Sequence, residues 1–261
     1  MIRSRYKTRY KIRGEASASK KENLFVVAVI ILCFVTTLGL SFLFSGKGIL
    51  GIAEVLGKEN ERTFFAVAIG GYSDITLARN TADLIKQRGG AGYCIVTNGE
   101  NGQEIEIVFS IYKDMASAES VLSSIEDRSA YVKEITAKES KYSWCEGDLK
   151  SAVKDAMTYF DTAFDEVYNT SSSLNDNTLN VYDAKTKIKV LITHIDDIKS
   201  VFYQKTQNQD KQQITEIKLA LITTLALLDN IDFESQAKCC SSLRYQLVQL
   251  VLCYKVLCAS I

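Results

Sequence analysis

The sequence predicts an α+β protein: an N-terminal transmembrane helix, a βαββαβ sandwich with a four-stranded antiparallel sheet, and a C-terminal antiparallel helical bundle. Three observations carry this. An uncharged apolar run follows a basic tail. A strand–helix–strand pattern then occurs twice at one constant offset. Beyond it the apolar period lengthens from two to three and four. The chain of 261 residues contains no proline, which favours long helices, because proline removes a helix donor and clashes with the preceding turn. Its charges balance, so no polyelectrolyte character points to nucleic acid.

The first element is Leu24 to Phe44, LFVVAVIILCFVTTLGLSFLF. A bilayer core of roughly 30 Å takes about 20 apolar residues as helix. Arg3, Arg5, Lys7, Arg9, Lys11, Arg13, Lys20 and Lys21 precede it, opposed only by Glu15 and Glu22. Positive flanks stay cytoplasmic. The tail (1–23) is therefore expected inside the cell, the helix (24–45) across the membrane, and everything after it outside the cytoplasm. A cleaved signal peptide would have a shorter core and a small-residue cleavage site, and Ser45-Gly46-Lys47-Gly48 is a poor one. The basic tail also suits attraction to anionic lipid. Residues 46–62 read as a linker.

The second element spans 63–136. Thr63 to Gly70 alternates, with Phe65, Val67 and Ile69 on one face and Phe64, Ala66 and Ala68 on the other, which is the period of a strand. Asp74 is placed to cap a helix whose stripe is Leu77, Ala78, Thr81, Ala82 and Ile85. Gly89, Gly90 and Gly92 end it, and Tyr93 to Thr97 forms a second strand. The unit then returns. Glu104 to Ser110 alternates, Asp114 is the cap, Ala118, Val121, Leu122 and Ile125 are the stripe, and Ala130 to Ile135 is the last strand. Tyr72 falls on Tyr112, Asp74 on Asp114, Ala78 on Ala118 and Ile85 on Ile125. Two such copies imply a four-stranded sheet with two helices on one face and the other face open. Tyr72 and Tyr112 are expected to close the core at strand ends.

FFAVAIGGYSDITLARNTADLIKQRGGAGYCIV, followed by IEIVFSIYKDMASAESVLSSI, resembles a SPOR domain, the sporulation-related repeat, over about a quarter of the chain. The resemblance implies a SPOR-like sandwich that binds peptidoglycan glycan strands stripped of stem peptides, in a membrane-anchored envelope protein of cell division or sporulation. Its glycan groove would fall on the open face: Phe64, Ala66, Ala68, Glu104, Glu106, Val108 and Ser110. Where the family usually has Gln, this chain has Ala68. Where it has Arg and then Gly, this chain has Val108 and Ser110. A sugar site wants hydrogen-bond donors and an aromatic platform, and this face offers two carboxylates and one Phe. Either the glycan site has drifted or another part of the protein covers the face.

The third element is the bundle, 146–261. Its stripes are Leu149 to Val167, Val181 to Phe202, Ile214 to Leu228 and Gln236 to Leu257. Asn169 to Thr178 and Gln204 to Gln213 read as polar loops. Amphipathic helices joined by short loops close into an antiparallel four-helix bundle; the alternative is a pair of hairpins that complete their core by self-association. Leu243 to Ile261 is apolar enough to raise a second membrane span, but Arg244, Gln246, Gln249 and Lys255 oppose it.

The sequence shows no enzyme and implies no cofactor. His194 has no accompanying nucleophile motif. GKGILG lacks the Gly-Lys-Ser/Thr ending of a P-loop, and NGENGQE lacks EF-hand spacing. The seven cysteines are odd in number, unclustered and read mostly as small apolar residues, with a disulfide framework as the weaker option. Two functions remain: a wall-binding module holding glycan strands, or a non-catalytic protein-interaction scaffold whose SPOR-like face docks on the bundle or on an envelope partner.

Overall fold

The computed structural model describes residues 61–99, 102–127, 129–138 and 142–261. The basic tail, the apolar run and the linker up to residue 60 lie outside the described residues; Glu61 and Arg62, expected in the linker, already belong to the first strand, where they pair with Lys138 and Ala137. Among those described, no helix is long and apolar enough to cross a membrane, the segment Leu243 to Ile261 included.

Among the described residues the fold is α+β, with a four-stranded antiparallel sheet and six helices. The order is β1 (Glu61–Tyr72), α1 (Ile75–Gln87), β2 (Tyr93–Gly99), β3 (Gly102–Tyr112), α2 (Met115–Leu122), β4 (Ala130–Lys138), α3 (Gly147–Asn175), α4 (Val181–Lys205), α5 (Gln212–Asp229) and α6 (Gln236–Ser260). The sheet runs β2-β3-β1-β4. Both repeat aspartates cap as their positions require. Asp74 accepts from the Thr76 and Leu77 amides at 2.6 and 3.2 Å, and Asp114 from the Ser117 amide at 2.8 Å.

One sheet face carries α1 and α2. Ala78, Ala82 and Ile85 bury against Ile69, Ile105 and Ile107, and Ala118 and Val121 bury against Val67. Tyr72 and Tyr112 pack half-buried in these two clusters. The strands overrun their expected ends. β3 continues past Ser110 to Tyr112, with a register shift in its pairing to β1 between Val67 and Ala68. The irregularity lets Ile111 join Val108 on the opposite face, as bulges re-aim side chains.

The four remaining helices close a ring, α3 beside α4, α4 beside α5, α5 beside α6, and α6 back on α3. Lys205, at the end of α4, bridges Asp155, near the start of α3, at 3.4 Å, while Lys187 bridges Glu166 at 3.1 Å, so these two helices run antiparallel. One boundary differs from expectation. Asn169 to Thr178 is not a loop up to Asn175, because α3 runs through NTSSSLN. Thr170, Ser171 and Leu174 are buried there, and the Ser171 hydroxyl donates to the Tyr168 carbonyl at 2.9 Å. Packing of Leu174 overrides weak local helix propensity. The helix end is closed by Gln236, whose amide donates to the Leu174 carbonyl at 2.6 Å.

Val67 and Ile107 are both fully buried beneath the α1 and α2 face. Val67→Asp and Ile107→Asp are each expected to unfold the chain, since an unpaired buried carboxylate costs several kcal/mol. Denaturant titration followed by circular dichroism reads this. A folded, soluble variant would mean that these two positions are not buried beneath α1 and α2.

Candidate functional site: the covered face of the sheet

The sheet face opposite α1 and α2 is apolar over most of its area. Phe64, Ala66, Ala68, Val108, Ile111, Ile135 and Ala137 share it, and all are buried in one cluster with residues of the bundle. The expectation that this face stays open is therefore corrected: α3 and α6 cover it. The physical reason is the side chains themselves. Apolar surface left in water costs about 25 cal/mol per Å², and no polar groove residue interrupts these positions.

The cover is built on an aromatic ladder. Phe160, Phe164 and Tyr168 recur every four residues on α3, so they share one helix face. Phe64 of β1 stands against the first two, with ring centroids 5.7 and 5.0 Å away. Tyr254 of α6 stacks on Phe160 at 3.7 Å. Offset and edge-on aromatic pairs add about 0.5–1.5 kcal/mol beyond their buried area. Charges rim the ladder. Arg62 pairs with Asp161, and Lys113 pairs with Asp165 at 2.7 Å. The same two cations lie over the rings, Arg62 at 5.4 Å from Phe160 and Lys113 at 5.1 Å from Tyr168.

A second seam fixes α6 to the other end of the unit. Arg244 is buried and donates to the Gly89 carbonyl at 2.9 Å and to Asn175 Oδ1 at 3.3 Å. It thereby ties the turn after α1 and the end of α3 to α6. Gly89 has φ +82°, a left-handed conformation that glycine adopts without a steric penalty. Beside it Tyr245 meets Tyr93 of β2 at 4.9 Å, under the Lys86 ammonium.

Five of the seven residues expected to line a glycan groove are thus interior: Phe64, Ala66, Ala68, Val108 and Ser110. Glu104 is exposed and Glu106 half-buried, at a polar corner beyond the cover. Lys133 of β4 bridges Glu106, and the Tyr131 hydroxyl also hydrogen-bonds it. The Tyr131 ring lies over Gly70, where a Cβ would sit 3.1 Å from Cε1. Burial works to raise the Glu106 pKa, but the hydrogen bonds from Lys133 and Tyr131 and the lysine's charge outweigh it and hold it below the usual value. The covering residues Phe160, Phe164, Tyr254 and Arg244 were legible only as helix stripe or as an obstacle to a membrane span.

Six cysteines lie among the described residues, and none of them is in a disulfide. Burial raises the thiol pKa of Cys240, and that of Cys239 to about 12, so both act as small apolar groups. Among the described residues no group of His, Cys, Asp and Glu could hold a metal ion. His194 is exposed on α4. A shallow groove of about 210 Å³ between α3 and α4 is lined by Ala152, Ala156, Phe202 and the Asp155–Lys205 pair. Comparison of the chain with protein-family models, with curated proteins and with solved structures finds no match.

Two outcomes test this site. Phe160→Ala is expected to destabilise the chain by about 3–5 kcal/mol, the range for a large aromatic removed from a core, read by urea unfolding. A loss under about 1 kcal/mol would mean that the ladder is not core. The second concerns pH. A carboxyl whose folded pKa is depressed stabilises above its unfolded value and loses that contribution as pH falls through the folded one. The contribution of Glu106 is therefore present above about pH 4.3 and is lost progressively as pH falls from there through the lower folded value. Glu106→Gln should flatten that part of the curve of melting temperature against pH, and an unchanged acid limb would contradict the pairing.

Proposed function

We propose that the chain is a single-pass, membrane-anchored, extracytoplasmic envelope scaffold without catalytic activity, in which a SPOR-like βαββαβ unit uses its sheet to hold its own antiparallel helical bundle rather than glycan. The observation that carries this reading is the burial of Phe64, Ala66, Ala68 and Val108 beneath α3 and α6. A sugar chain needs a concave surface with convergent polar groups. Here those positions are apolar and already occupied. What the sheet gains is a rigid mount. The bundle is held at two seams, the aromatic ladder and Arg244, and presents α4 and α5 away from the sheet.

The anchoring half of the proposal rests on the uncharged run from Leu24 to Phe44 and its basic flank. The SPOR-like half rests on the repeated strand–helix–strand unit and its sequence resemblance. Cell division or sporulation is the setting that resemblance implies.

Sedimentation with purified sacculi tests the binding half. The full chain in mild detergent is expected to stay in the supernatant with sacculi intact or stripped of stem peptides. Cosedimentation with stripped sacculi that disappears on Glu104→Lys with Glu106→Lys would instead assign glycan binding to the polar corner and overturn the scaffold reading. Topology is tested separately. A reporter fused after Ile261 is expected to be active only outside the cytoplasm, and cytoplasmic activity would overturn the anchoring.

A further inference from the structure

Helix α3 ends on an acid. Asp176 is its C-cap, and its amide donates to the Ser172 carbonyl at 3.0 Å. A carboxylate is disfavoured there, because the dipole is negative at that end and the last carbonyls lack intrahelical partners. Burial adds to this. Asp176 Oδ1 is enclosed and has no hydrogen-bond partner. Its neighbour Asn175 links it to the seam described above. The Asn175 amide accepts from the Arg244 guanidinium at 3.3 Å and donates to the Asp176 carboxyl.

The two protonation states fit this place differently. A carboxylate only accepts hydrogen bonds, so the ionised form leaves a charged oxygen enclosed without a donor, which costs free energy. A carboxylic acid carries a donor, and a helix C-terminus is where carbonyl acceptors gather. The groups that face Asp176 are Asn175 of α3 itself and Arg244 and Cys240 of α6. Behind Arg244 stand Tyr112 of β3 and Tyr168 of α3, with Asp114 beyond them. The turn after α1 contributes the Gly89 carbonyl. Burial raises the Asp176 pKa, and the Asn175 hydrogen bond and the Arg244 charge oppose it without cancelling it. Burial also pushes up Cys240, Tyr112 and Tyr168, which keeps them neutral. Arg244 keeps its charge throughout.

We propose that Asp176 is a proton-binding site: in mild acid its carboxyl takes up a proton from water, loses its charge and holds the end of α3 to α6 and the turn after α1 more firmly than the carboxylate does. The sign is opposite to that of Glu106. A carboxyl whose folded pKa is raised contributes stability that is whole below its unfolded value, about 3.9, and is lost as pH rises through the folded one. Acid therefore weakens the polar corner at Glu106 and strengthens the junction at Asp176.

The test is urea unfolding of the full chain in mild detergent across this pH range, with Asp176→Asn, which keeps the shape and removes the charge. At about pH 7 the variant is expected to have a higher urea midpoint than the unsubstituted chain, and the two midpoints are expected to converge as pH falls toward about 4. Asp229→Asn, at the exposed end of α5, is the control and is expected to gain clearly less. A lower midpoint for Asp176→Asn at neutral pH would make the carboxylate a needed partner of Arg244 and overturns the proposal. So does a gain that does not change with pH, or an equal gain from Asp229→Asn, which would assign the effect to the helix dipole alone. The titration is read directly on the unsubstituted chain from the carbon-13 shift of the Asp176 carboxyl, assigned by its loss in Asp176→Asn. A midpoint above about 3.9 is expected, and one at or below it overturns the proposal whatever the variant does.

Discussion

Everything in this molecule depends on one burial: the apolar face of the sheet against α3 and α6. Without it Phe64, Val108, Ile111 and Ile135 would lie in water, and so would the faces of the two helices that meet them. The sheet has a core of its own beneath α1 and α2, but that core is narrow and rests largely on alanines, Ala78, Ala82 and Ala118, facing Val67, Ile69, Ile105 and Ile107. The larger cluster joins sheet and bundle into one interior. α6 is its axle. It touches α3, α5, β3, β4 and α1, which explains why Ser241, Arg244 and Gln246 are buried beside its leucines and valines.

The seam is mixed by design of its chemistry. Its centre is aromatic and dry, where ring contacts add to the burial term. Its rim is ionic, with Arg62, Lys113 and Lys86 each over a ring and the first two also paired with α3 carboxylates. Exposed ion pairs contribute little stability. Their value here is register, because Asp161 and Asp165 are the residues after Phe160 and Phe164 and hold those rings at the right rung of the sheet. Arg244 does the same at the far end through a backbone carbonyl that no substitution of a side chain can remove.

Much of the fold was legible because local patterns and tertiary needs agree. The repeat offset placed both aspartate caps, the four strands and both helix stripes except Leu77, which is 57% exposed rather than on the buried face, and the period change at Asp148 placed the bundle. One feature was not legible and a second was left open between two readings, for a common reason. The serine-rich end of α3 reads as loop by propensity, yet Leu174 docks and carries the helix through it. The sheet face reads as a ligand groove by resemblance, yet its own residues, Ala66, Ala68 and Val108, suit a helix better than a sugar. In both places packing between distant segments decides, and a single sequence shows each partner without showing that they meet.

Native-state hydrogen exchange on the full chain tests the shared interior most directly. Amides open with the free energy of the cooperative unit that contains them. If the sheet and bundle are one unit, the central amides of β1, around Phe64 to Ala68, and those of α6, around Leu243 to Tyr254, release with the same opening free energy and the same dependence on denaturant. Slow exchange in α6 with β1 opening independently, at a distinctly lower free energy, would contradict it and return the sheet face to solvent.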